Sequence, residues 1–168
     1  AVYPAFDADV STHYRTVNDF AHTRLYPGVV RLVGTLRRRR ARNVIVTNKP
    51  RQALERLLLV KGWASLFDGW ITPDYFDGDM SKTDMIAAMI GRYGVGPQAC
   101  VYIGDTWSDI QAAHANGIDG IAVTYGDGDV AGLRAQHPRY CVDNLDEVAA
   151  VLLDGAPAAS MKEGTMGR

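Results

Sequence analysis

Apolar positions along this chain come round at two spacings. Val10, Tyr14, Val17 and Phe20 recur at helical intervals, which predicts a helix over residues 9–22. Pro27-Gly28 interrupts the pattern, and proline suits the opening turn of a following helix. That helix is expected to reach about Arg40, with Val29, Val30, Leu32, Val33 and Leu36 on its buried side. Asn43–Thr47 is a short run rich in β-branched residues and predicts a fully buried strand. A leucine-rich helix over Gln52–Val60 stops at Gly62. Gly69–Thr72 is a weaker strand, and residues 73–80 form a loop rich in Asp and Gly.

Ser81 is placed to cap a helix over Lys82–Tyr93. Gly94 to Pro97 is a turn, and Ala99–Ile103 is the clearest buried strand. Gly104-Asp105-Thr106-Trp107-Ser108-Asp109 then leads into a helix that stops at Asn116-Gly117. Gly120–Thr124 is a further strand, followed by a Gly/Asp loop. Tyr140–Val142 is a last short strand and Asp146–Leu153 a closing helix. Strands that alternate with helices predict an α/β fold with a parallel sheet. Ligands of such sheets bind beyond the carboxyl ends of the strands. Two polar breaks fall there, Thr47-Asn48 and Asp105 to Asp109.

Composition narrows the picture. A chain of 168 residues suits one compact domain, and 47% hydrophobic with 22% charged residues is ordinary for a globular protein. With a formal charge of -1, nothing global argues for nucleic acid or an anionic membrane as a partner, and neither is expected. The basic run Arg37 to Arg40 with Arg42 reads as a solvated helix C-terminus, because no aromatic residue is interleaved. Cys100 and Cys141 make neither a CxxC pair nor a zinc spacing, and Cys100 reads as a buried small hydrophobe, so a reduced, cytoplasmic protein is expected. No apolar stretch has the length of a membrane span. The first residues lack the basic and apolar regions of a signal peptide. They also lack an initiator Met, which points to processing or to a chain whose beginning lies further upstream.

The strand ends carry the candidate chemistry. Asp105 and Asp109 repel one another at the entry to a helix. The helix N-terminus offsets part of that cost, by about 0.3–1 kcal/mol per charge. A hard cation offsets more, and Mg²⁺ favours one or two carboxylates plus waters and phosphate oxygens. The plainer reading is that both residues cap the helix. Thr47 and Asn48 offer a hydroxyl and backbone N–H groups, an anion cradle or simply a turn. Lys82 is a cation at a helix start, where the macrodipole disfavours it.

In order, these features resemble motifs II, III and IV of the haloacid dehalogenase superfamily. Motif II resembles Val44-Ile45-Val46-Thr47-Asn48-Lys49-Pro50, and motif III resembles Lys82 in Ser81-Lys82-Thr83-Asp84. Motif IV resembles Ile103-Gly104-Asp105-Thr106-Trp107-Ser108-Asp109-Ile110-Gln111-Ala112-Ala113. The likeness covers residues 10–152 and is strongest to the phosphoglycolate-phosphatase-like group. It implies a Rossmann-like three-layer core and a Mg²⁺-dependent phosphohydrolase acting on a small phosphorylated metabolite such as phosphoglycolate. It implies further that Thr47, Asn48 and Lys82 bind phosphate, and that Thr47, Lys82 and Asp105 take part in catalysis by in-line phosphoryl transfer. Asp105 and Asp109 would serve the metal, Asp109 by supporting it or by orienting Lys82.

The first motif of that family, an apolar strand ending in Asp-x-Asp-Gly-Thr, has a weak counterpart in Phe6-Asp7-Ala8-Asp9-Val10-Ser11. The Gly is missing, Ser11 replaces Thr, and Pro4 interrupts the strand. On this alignment Asp7 would be the nucleophile and Asp9 the acid/base. A second alignment places Tyr14 to Tyr26 as the last helix of a small helical cap, with Asp7 and Asp9 as cap residues. Helical periodicity favours the second. Residues 1–24 are then the end of a cap, 25–154 the core and 155–168 a disordered tail. Two other functions stay open: a phosphate- or metal-binding domain without catalysis, and a dehalogenase. The Asp105/Asp109 pair disfavours the dehalogenase.

Overall fold

The computed structural model describes residues 16–76 and 78–155. They fall into two compact units, one up to Tyr93 and one from Gly94. Both are mixed α/β with parallel strands.

In the first unit, Thr16 is the last helical residue before Val29, so the helix expected through residue 22 stops early. The cause is local. Asn18 Oδ1 accepts the Phe20 N–H at 2.8 Å, and Asp19 Oδ1 accepts the Ala21 N–H at 2.9 Å. Such bonds to the backbone two residues on compete with a helix. Phe20 takes a left-handed φ of 53°.

Helix α1 (Val29–Arg38) follows, with Leu32 and Val33 buried. Val30 lies at the border of that stripe and is 57% exposed, contrary to the expectation. Its basic end works as surface scaffolding. Arg37 donates to Ser65 O at 2.6 Å and to Asp68 at 3.0 Å. Strand β1 (Val44–Val46) crosses by helix α2 (Arg51–Lys61) to the parallel strand β2 (Gly69–Ile71), with Val44 opposite Gly69 and Val46 opposite Ile71. Gly62 ends α2 at φ 68°, the left-handed stop its position predicted. Ala53, Leu54, Leu57 and Leu58 of α2 join Ile71, Met85 and Ile86 in the core. All three residues of β1 are half-buried rather than fully buried.

Helix α3 (Lys82–Tyr93) has the expected bounds. Ser81 opens it: its Oγ accepts the Asp84 N–H at 3.2 Å while its own N–H donates to Asp84 Oδ2 at 3.3 Å. The reciprocal pair satisfies two amides the helix itself leaves open. The Met80 N–H donates to Pro73 O at 2.9 Å and closes the loop between β2 and α3. Helix α3 therefore starts at the carboxyl end of β2, and it packs against both strands.

The second unit holds three parallel strands in the order β3 (Val101–Gly104), β4 (Asp119–Val123), β5 (Tyr140–Val142). Helix α4 (Trp107–Ala115) connects β3 to β4. Helix α5 (Val130–Ala135) stands where only a loop was expected. It has a strong cap, since Asp129 accepts the N–H groups of Ala131 and Gly132, but one buried residue, Leu133, and so almost no apolar period to read. Helix α6 (Leu145–Asp154) closes the unit, capped by Asn144. Ile110, Ala122 and Leu133 form a core cluster with Cys141 against it. Strand β3 is the end strand of this order, and Val101 and Ile103 are 40% and 42% exposed, more open than a fully buried strand. Cys100 is likewise half-buried. No helix of the described residues is long and apolar enough to cross a membrane.

Candidate active site

Thr47 leaves β1 at its carboxyl end. Its N–H donates to Ile71 O at 3.2 Å, which extends the β1–β2 ladder by one rung. Its hydroxyl oxygen accepts the Lys49 N–H at 3.1 Å, leaving the hydroxyl proton to donate elsewhere. Asn48 is exposed beside it. Lys49 lies over the Phe20 ring at 5.6 Å, and burial lowers the pKa of its ammonium. Lys82, half-buried, is the first residue of α3. The closed loop before it brings it to the same end of the unit as Thr47.

Beside Thr47, one position further along β2, stands Thr72. It is fully buried, and its Oγ1 has no hydrogen-bond partner among the described residues. Sequence reading passed over it, because a threonine at a strand end looks like ordinary β propensity.

Asp105 and Asp109 differ in their surroundings. Asp105, half-buried, follows β3 directly, and its Oδ2 accepts the Asp127 N–H at 2.9 Å. Asp109 is 6% exposed and sits at the third position of α4. Its Oδ2 accepts from the Thr106 N–H at 3.1 Å and the Thr106 hydroxyl at 2.7 Å. Its Oδ1 accepts the Tyr102 phenol at 3.4 Å. Thr106 and Asp109 thus form a capping box. Burial first, then the Asp109 charge, pushes the Tyr102 phenol well above its ordinary pKa.

The donor set suits a hard cation at Asp105. Its carboxylate is tied by one backbone N–H at one oxygen, and Mg²⁺ uses one or two carboxylates with waters and phosphate filling the rest. No group of three or more His, Cys, Asp or Glu is gathered for a metal among the described residues. Asp7 and Asp9 lie outside the described residues.

A family profile described as haloacid dehalogenase-like hydrolase matches residues 3–117. A phosphoglycolate phosphatase of Pseudomonas putida is 27% identical over 168 aligned positions, covering 95% of this chain and 59% of that protein. One from Synechococcus elongatus is 32% identical over 124 positions, covering 74% and 57%. The chain therefore spans under two thirds of the length of these relatives. A crystal structure of a predicted phosphatase from Clostridium acetobutylicum matches with a TM-score of 0.79 at 26% identity, over 89% of this chain and 68% of that one. With its profile matched over more than half of its length, the chain belongs to the haloacid dehalogenase-like hydrolases.

Proposed function

We propose that the chain carries the metal and phosphate groups of a Mg²⁺-dependent phosphohydrolase for small phosphomonoesters, phosphoglycolate being the substrate its relatives' name suggests. The observation that carries this reading is the Asp105 carboxylate, held by a backbone N–H at the carboxyl end of β3. In parallel sheets that is where ligands bind. Mg²⁺ bound at Asp105 would neutralise charge on the transferring phosphoryl group. Asp109 keeps the strand-to-helix turn in shape through its capping box, and so supports the metal indirectly.

Thr47 donates its hydroxyl proton to a phosphate oxygen, and the Asn48 N–H completes the anion cradle, the Lys49 N–H being taken by Thr47 Oγ1. Lys82 neutralises charge on the phosphate. Such positioning and charge neutralisation supply most of the rate in phosphoryl transfer. Residues 1–24 end a helical cap on this reading, and two free cysteines suit a reducing, cytoplasmic setting.

The test is turnover of a general phosphomonoester with and without Mg²⁺, for the wild-type chain, Asp105→Asn and Asp7→Asn. Mg²⁺-dependent turnover lost in Asp105→Asn supports the reading. Its further loss in Asp7→Asn would locate the nucleophile in the Phe6-Asp7-Ala8-Asp9 segment. Turnover that survives Asp105→Asn would refute the assignment.

A further inference from the structure

Asp105 is packed against a segment outside motifs II, III and IV. The loop after β4, Tyr125-Gly126-Asp127-Gly128-Asp129, closes on it from 22 positions away. Three contacts define the closure. The Asp127 N–H donates to Asp105 Oδ2 at 2.9 Å. A Cβ on Gly126 would stand 2.2 Å from Asp105 Oδ2 and 2.3 Å from Asp105 Cβ. A Cβ on Gly128 would stand 1.7 Å from the Asp105 carbonyl oxygen and 3.2 Å from Thr106 Cα.

Neither glycine has a left-handed φ, so alanine fits both backbone conformations. What excludes a side chain at either position is the closeness of Asp105. The two glycines answer to different parts of it: Gly126 makes room for the carboxylate, Gly128 for the peptide that carries it. Asp129 anchors the far side of the loop by capping α5 through Ala131 and Gly132. A carboxylate on a free side chain turns about two bonds. One held by an N–H at Oδ2 with a backbone against its Cβ does not, and its Oδ1 is presented in one direction.

We propose that residues 125–129 are a positioning device for Asp105, which fixes the carboxylate so that Oδ1 faces the cation. The proposal rests on Asp105 being the metal carboxylate. It assigns Gly126 and the Asp127 N–H as positioning groups, not as ligands. It also explains why two glycines stand one residue apart here without any turn that needs them.

The test combines Mg²⁺ titration with a double-mutant cycle on the full chain. Mg²⁺ affinity is read by calorimetry, and stability by the midpoint of urea unfolding. Gly126→Ala should weaken Mg²⁺ at least tenfold and lower the midpoint. In an Asp105→Gly background the same substitution should leave the midpoint unchanged, because its clash partner is gone. Gly128→Ala should stay destabilising in that background, since it meets the backbone. If Gly126→Ala alone does not fold, recovery of folding in Gly126→Ala/Asp105→Gly supports the proposal and failure to recover overturns it. Wild-type Mg²⁺ affinity in Gly126→Ala, with the response lost in Asp105→Asn, overturns the positioning role and leaves the metal reading standing. A wild-type chain without any Mg²⁺ response overturns the metal reading and this proposal together.

Discussion

Replacing Asp109 by Ala separates the two roles a second motif carboxylate can have. In this structure the side chain accepts from the Thr106 N–H at 3.1 Å, the Thr106 hydroxyl at 2.7 Å and the Tyr102 phenol at 3.4 Å. Loss of a helix cap costs about 1 kcal/mol, and hydrogen bonds to a charged group contribute about 1.5–3 kcal/mol. The Tyr102 bond is long and adds little. The bonds share one carboxylate and are not independent, so a total of about 2–4 kcal/mol is expected. With a urea dependence of about 2 kcal/mol per molar, the unfolding midpoint should fall by roughly 1–2 M. Asp109→Asn keeps the shape and one acceptor oxygen and should lose less. It should also keep wild-type Mg²⁺ affinity in calorimetry. Asp109→Ala costing under about 0.5 kcal/mol would refute the structural role. Asp109→Asn that keeps its stability but loses Mg²⁺ would make Asp109 a ligand.

Thr72→Val replaces a buried hydroxyl that lacks a partner among the described residues by a methyl of the same shape, and should raise stability by about 1 kcal/mol in urea unfolding. A loss of that size would mean the hydroxyl is bonded. Tyr102 has a raised folded-state pKa, so its neutral form is favoured in the fold and its contribution is fully present below the unfolded value near 10. Stability should fall as pH rises above about 10, and less steeply in Tyr102→Phe; parallel pH profiles would contradict this. Thr47→Val should weaken inorganic phosphate binding about tenfold to a hundredfold, the worth of one hydrogen bond to a charged group, and cost about 1 kcal/mol of stability for the lost Lys49 N–H partner. Unchanged phosphate affinity would remove Thr47 from the cradle.

Much of the element order was legible in the pattern of apolar positions. Helix α3 was legible to the residue, because Ser81 and Asp84 form a local cap and the period after them is clean. The stops at Gly62 and Gly117 followed from left-handed glycines. The helix through residue 22 was overextended, since Asn18 and Asp19 divert the backbone with bonds a periodicity cannot register. Helix α5 was missed because its six residues bury only Leu133. The candidate site was legible as residue types at strand ends. Their partners were not. Asp105 and Asp109 share one motif, yet one is tied by a single N–H and the other is spent on a capping box. The Gly126–Gly128 loop reads as a plain turn, because its partner Asp105 lies far back in the chain. Thr72 looks like any strand threonine until its burial is known.

Calorimetric titration of Mg²⁺ into the wild-type chain and Asp105→Asn, each in the presence of inorganic phosphate, tests the metal role of Asp105. Phosphate supplies the oxygens that a single carboxylate leaves unfilled around the ion. Saturable binding to the wild-type chain is expected, with at least a tenfold loss of affinity in Asp105→Asn and both proteins unfolding at similar urea concentrations. Equal Mg²⁺ affinity in the two would contradict it, and would remove Asp105 from the metal site.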